Sequence, residues 1–303
     1  MSGTTLRFML QYPETNGPEG DMLAAGPVAE LASAAEAAGW SGFAFTEHPV
    51  PGARWLDAGG HQTLDPFVAL GHVAAATARL RLLTYLAVAP YRNPFLLAKA
   101  AATVDVLSNG RFILGIGTGY LKGEFRALGV DFEERNALFD EALDVLPKFW
   151  HGETFSFRGR YFDAHDVIAR PRPVQNPIPI WIGGNSTLTR QRVAQRAQGW
   201  MPLTGPVDIS STTRTPRIAS WDELAVRIRE LQRNASSGAS LDVAVAYTDP
   251  TIADPDGDTG RHRNALAALA AIGVTWVVVP GPSRPHPAAR EFVERFASTY
   301  IAR

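Results

Sequence analysis

The sequence predicts a (β/α)8 TIM barrel with a β-hairpin insertion and long loops on its C-terminal face. Three observations carry that reading. Short β-rich runs alternate with helical patterns from one end of the chain to the other, the signature of βα units around a parallel sheet. Eight such units can be counted, which suits a closed barrel better than a doubly wound sheet. No Pro/Ser-rich linker divides the 303 residues, of which 46% are hydrophobic, so one domain is expected over 1–303.

Taken in order, the expected strands cover 6–11, 42–47, 81–89, 111–115, 179–183, 199–203, 241–247 and 274–280, and each is followed by a helical segment. Those helices are expected at 28–38, 66–78, 94–107, 137–150, 187–198, 221–235, 261–272 and 287–302. Small or apolar residues recur at turn spacing, as in Ala29, Ala32 and Ala35 or Leu96, Ala100 and Thr103, giving narrow faces that pack on a sheet. Between the fourth helix and fifth strand, 154–157 and 160–162 alternate in apolar character about Arg158-Gly159. That pattern reads as a β-hairpin against the outside or bottom of the barrel.

Composition narrows the partners. Net charge is −1 and no run of basic residues occurs, so neither a nucleic-acid footprint nor a polybasic membrane patch is visible, and a small-molecule substrate is expected. The chain has no cysteine, which excludes disulfides, thiolate metal sites and cysteine nucleophiles. The first residues show no signal-peptide pattern and no apolar run approaches about eighteen residues, so a cytoplasmic location is the expectation.

In such a barrel, chemistry sits just after the strands. The fourth strand runs into Gly115, Gly117 and Gly119, and the fifth into Gly183-Gly184-Asn185-Ser186. The first cluster is not a dinucleotide fingerprint, because Tyr120 stands where the third glycine would be needed. Two glycine loops on adjacent strands instead offer backbone N–H groups to one anion, with Asn185 or Ser186 as the cap of a helix whose positive end faces the same spot. His48 ends strand two beside a carboxylate and is the best titratable candidate. Glu47 reads as support for His48 or for an inward network, and Lys122 and Glu124 as solvated loop charges. No His-x-His follows strand one and no lysine ends a strand, so a metal hydrolase or Schiff-base aldolase is not expected. An anion cradle with one histidine and few acids suits a cofactor that carries the chemistry.

The stretches FTEH at 45–48, YRNPFLLAKAAATVDVLSNGRFILGIGTGYLKGEFRALG at 91–129, PIWIGGNS within 178–186 and AQGW at 197–200 identify a resemblance. The chain resembles the luciferase-like, flavin- and deazaflavin-dependent oxidoreductases over nearly its whole length. That resemblance implies that the phosphate of F420, or alternatively FMN, lies against Gly117, Thr118, Gly119 and Tyr120 and against Gly183, Gly184, Asn185 and Ser186. It implies a bulge, often with a non-prolyl cis peptide, at Thr84, Tyr85 and Leu86 behind the ring, although many relatives have glycine where Tyr85 stands. His48 is implied to face the ring or substrate, with His48 or Tyr120 as proton donor or acceptor. Sugar-phosphate relatives that use F420 carry glutamate at the position of Tyr120, which argues against the same substrate.

The expected activity is hydride transfer between F420 and a small organic substrate. An FMN-dependent monooxygenase with a separate reductase, a non-enzymatic flavin binder and a barrel isomerase or lyase are the alternatives. A reductase supplying reduced cofactor and a homodimer are the partners the resemblance implies. Trp55, Met22 and Ile209 stand in the loops that would choose a substrate; loop packing is expected of them ahead of the alternative, the lining of an apolar pocket.

Overall fold

The computed structural model describes residues 5–16, 21–205, 212–236 and 241–301, so Ile209 lies outside the described residues. Strands β1 (Arg7–Gln11), β2 (Gly42–Phe45), β3 (Arg81–Thr84), β4 (Phe112–Gly117), β5 (Ile180–Gly183), β6 (Gly199–Met201), β7 (Asp242–Ala246) and β8 (Trp276–Pro280) pair in parallel in chain order. Pairing of β8 with β1, Met9 opposite Val278, closes the barrel. Around it run α1 (Val28–Ala38), α2 (Pro66–Ala76), α3 (Pro94–Leu107), α4 (Arg135–His151), α5 (Thr187–Arg196), α6 (Trp221–Asn234), α7 (Thr259–Ala271) and α8 (His286–Tyr300). The architecture is the expected (β/α)8 barrel.

Alternation along each strand separates two cores. Phe8 and Leu10 of β1 point to the helix layer, whereas Met9 joins Ala44, Leu83, Ile113, Trp181, Met201, Ala244, Trp276 and Val278 inside the barrel. Trp181 and Trp276 meet edge to face at 5.6 Å. Their bulk leaves no room across the barrel: a Cβ on Gly199 would strike the Trp181 indole, and one on Gly115 would strike the Thr84 carbonyl and Met201. Helices start where short polar caps precede proline or an acidic turn. Asp65 accepts the N–H groups of Phe67 and Val68 ahead of α2, and Asn93 that of Phe95 ahead of α3.

Three expectations are corrected. The third strand does not run unbroken over 81–89. Its pairing with β2 and β4 ends at Thr84, a non-prolyl cis peptide joins Tyr85 to Leu86, and Ala87–Val88 then pair with β4 alone. The buried Glu47 carboxylate takes the Val88 N–H at 2.7 Å and also binds Arg92, holding the chain in this detour. The detour falls at Thr84-Tyr85-Leu86, where the resemblance implied a bulge with a non-prolyl cis peptide; the apolar run by itself gives no sign of it, because every residue in it also suits a buried strand. The fourth strand extends two residues further than expected, through Gly117. The hairpin pairs Thr154–Arg158 with Asp163–Ile168 rather than with 160–162. Glu141 of α4 takes the backbone N–H groups of Arg160, Tyr161 and Phe162, which pulls those residues into the turn. As expected, the hairpin lies outside the barrel, with Phe155 and Phe157 each 6.4 Å from Phe95 of α3. Among the described residues no helix is long and apolar enough to cross a membrane.

Candidate active site

A cavity of about 360 Å³ opens at the C-terminal ends of the strands. Tyr85, Leu86, Val88 and Met201 give it an apolar floor. Leu86 reaches this position because two glycines make room for it. A Cβ on Gly117 would lie 2.7 Å from Leu86 Cδ1, and one on Gly183 would also run into the Leu86 side chain. Gly119 and Gly184 serve a different purpose, since their φ angles of +76° and +114° lie where side chains are disfavoured. Those two bends carry Thr118 and Ser186 along one wall of the cavity.

That wall carries unspent backbone donors. Among the described residues the backbone N–H groups of Thr118, Gly119, Tyr120 and Ser186 make no hydrogen bond within the chain. Ser186 caps α5 by accepting the Thr189 N–H at 3.0 Å, so the positive end of the helix opens on this wall. Among the described residues Arg214 is the one lysine or arginine lining the cavity, and its guanidinium has no hydrogen bond or carboxylate partner among them.

The same cavity also meets a cluster of imidazoles, with carboxylates behind them. His48 is buried, with Nδ1 3.4 Å from Glu124 Oε2, and its ring lies 4.4 Å from Trp55, 5.0 Å from His61 and 6.0 Å from Tyr120. Glu124 is only 1% exposed; it also accepts the Tyr91 hydroxyl at 2.6 Å and the Val50 N–H at 3.4 Å. A second pair stands beside the first: His61 Nε2 is 2.9 Å from Glu14, whose carboxylate also takes the Gln11 amide, the Thr46 N–H and the Thr46 hydroxyl. An antiparallel bridge between Thr15–Asn16 and His61–Gln62 ties the first and second loops together and brings Glu14 to His61. Burial, followed by the Glu124 and Glu14 carboxylates, pushes the Tyr120 phenol above its ordinary range. Burial alone raises Tyr85, and burial with the Glu124 hydrogen bond raises Tyr91. All three phenols remain protonated at neutral pH, and Tyr91 donates to Glu124.

Of the residues expected from sequence, His48, Tyr85, Leu86, Gly117, Thr118, Gly119, Tyr120, Gly183, Gly184 and Ser186 line this one cavity. Thr84 and Asn185 do not. Thr84 Oγ1 is spent inside the barrel, donating to the Gly115 carbonyl at 2.7 Å and accepting its N–H at 2.9 Å. Asn185 clamps loops, donating to the Leu203 and Pro216 carbonyls and accepting the Leu203 N–H. Glu47 supports an inward network with Val88 and Arg92. Lys122 is a surface charge, as expected, but Glu124 is not: the following short helix Lys122–Ala127 turns it inward onto His48 and Tyr91. Trp55 packs on His48 and His61. Sequence reasoning missed Glu14, His61, Tyr91 and Arg214, and only the strand-end position of Tyr91 offered a signal.

The family model described as luciferase-like monooxygenase matches residues 6–256. The chain belongs to that family. An F420-dependent glucose-6-phosphate dehydrogenase of Kineococcus radiotolerans is 33% identical over 212 residues, covering 68% of this chain and 61% of the relative. The F420-dependent tetrahydromethanopterin reductase of Methanopyrus kandleri shares the fold at a TM-score of 0.72 and 17% identity, covering 98% of each chain. So does the FMN-complexed oxygenating constituent of 3,6-diketocamphane monooxygenase from Pseudomonas putida, at 0.73 and 15%, covering 97% of this chain and 98% of the other. Luciferase-like relatives thus include users of F420 and of FMN.

Proposed function

We propose that this luciferase-like protein is an F420-dependent oxidoreductase acting on a small organic substrate. The observation that supports this most directly is one cavity that gathers unspent backbone N–H groups and Arg214 together with the His48 and His61 imidazoles, over an apolar lining of Leu86, Val88 and Met201. A phosphate fits the amide-bearing wall, because its N–H groups are unspent and Gly184 keeps a side chain out of the way. When bound, the deazaflavin would supply the carbon that gives or accepts hydride. Gly119, Thr118 and Ser186 would hold its phosphate, and Tyr85 and Leu86 would back its ring.

The remaining work falls to this chain's own side chains. Glu124 accepts the His48 Nδ1 proton, which orients the imidazole and leaves Nε2 to exchange a proton with the substrate heteroatom. Tyr120, kept protonated by burial, donates a hydrogen bond rather than acting as a base. Trp55 covers the imidazole and keeps water from its face. FMN is the alternative occupant, since the same wall would hold its phosphate; oxygen and a separate reductase would then be needed, and a reductase partner is also compatible with F420.

Tryptophan quenching separates these readings, with seven tryptophans as reporters. F420 is expected to quench at lower concentration than FMN, and substrate to change the absorbance of bound F420. Binding of FMN alone with substrate-dependent oxygen uptake would replace this reading by the monooxygenase, and binding of neither would overturn both.

A further inference from the structure

We infer that a cationic collar around Phe132 recognises an acidic tail continuing beyond the cofactor phosphate, which rests on the cofactor reading above. Phe132 is buried and lies edge-on to Phe125 at 5.1 Å, and Phe125 in turn packs against Gly119 of the cradle. Three cations surround the Phe132 ring: Arg135 at 3.9 Å, Lys122 at 4.8 Å and Arg214 at 5.1 Å from its centre. The ring's negative face draws them together. Their opposing carboxylate is Glu133, 3.2 Å from Lys122 and 3.9 Å from Arg135; its side chain is 73% exposed, so it screens the group weakly. Glu134 is engaged with Arg160 and Tyr161 instead. Arg214 also lines the cavity, so the collar begins where the cradle ends.

This geometry discriminates between cofactors by their far ends. FMN stops at a phosphomonoester and reaches no further than Arg214, short of Lys122 and Arg135. F420 continues through a phosphodiester and a lactyl amide into glutamyl carboxylates, which supply the opposite charge at the place where three cations converge. The collar therefore gives the tail a role in affinity, apart from the ring.

The test is fluorescence titration of the protein with F420 bearing several glutamates and with F420-0, which ends at the lactyl group, at low and high salt. Two or three solvent-exposed ion pairs predict about tenfold tighter binding of the glutamylated form at low salt. That preference should vanish at high salt and in the Lys122→Gln/Arg135→Gln variant, which should bind F420-0 as the wild type does and retain its melting temperature. Equal binding of both forms by the wild type, or a preference surviving in the variant, would overturn the collar while leaving the cofactor reading intact. Failure of F420-0 itself to bind would remove both.

Discussion

The cradle wall of the cavity is made of backbone, and the imidazole wall of side chains. Gly117, Gly119, Gly183 and Gly184 give the first its shape by what they lack: two leave space for Leu86 and two adopt left-handed turns. His48, Glu124, His61 and Glu14 give the second its chemistry, and each buried carboxylate is held by several donors. On the proposed reading grip and chemistry are separable, with Tyr120, whose N–H belongs to one wall and whose ring faces His48 at 6.0 Å, as the point where they meet.

The largest expected effect tests that separation directly. His48→Ala should lower kcat by about 10² to 10⁴, while the cofactor Kd, read by tryptophan quenching, stays within a few-fold of the wild type; a matching loss of affinity would merge the two walls. Glu124→Gln keeps an acceptor for Tyr91 but loses the charge, so kcat/KM should fall about tenfold to a hundredfold, its pH profile should shift and the melting temperature should hold. On the backbone side, Gly117→Ala pushes Leu86 into the cavity and should weaken cofactor binding about tenfold. Adding Leu86→Ala should restore part of that affinity, and strict additivity would show that the two groups do not meet.

The smallest effect is on stability at alkaline pH. The raised phenols of Tyr85, Tyr91 and Tyr120 hold their protons more tightly folded than unfolded. Their contribution is complete below pH about 10 and is lost as pH rises through the folded values. The melting temperature should fall on titration above that point, and Tyr91→Phe should flatten the fall.

Much of this molecule was legible from its residues. The βα alternation announced the barrel, because burial on two faces requires apolar strands and one-sided helices. His48 and the two glycine loops were legible because they follow strands, where a barrel puts its site. Glu124 was not, since Lys122, Glu124 and Arg126 look alike as charges in a short polar segment and only the helix direction sends one of them inward. For Asn185 the sequence could not show the other side: a polar residue at a helix start suits an anion site, and the structure engages its amide with two distant carbonyls.

What the sequence determined by itself was local: periodicity, turns, caps and the strand ends where functional groups must stand. Tertiary structure alone decided which glycines make room for Leu86, which carboxylates meet His48 and His61, and where Arg214 lies. Those choices depend on loops approaching from far along the chain, and proximity of that kind leaves no periodic mark in the residues that share it.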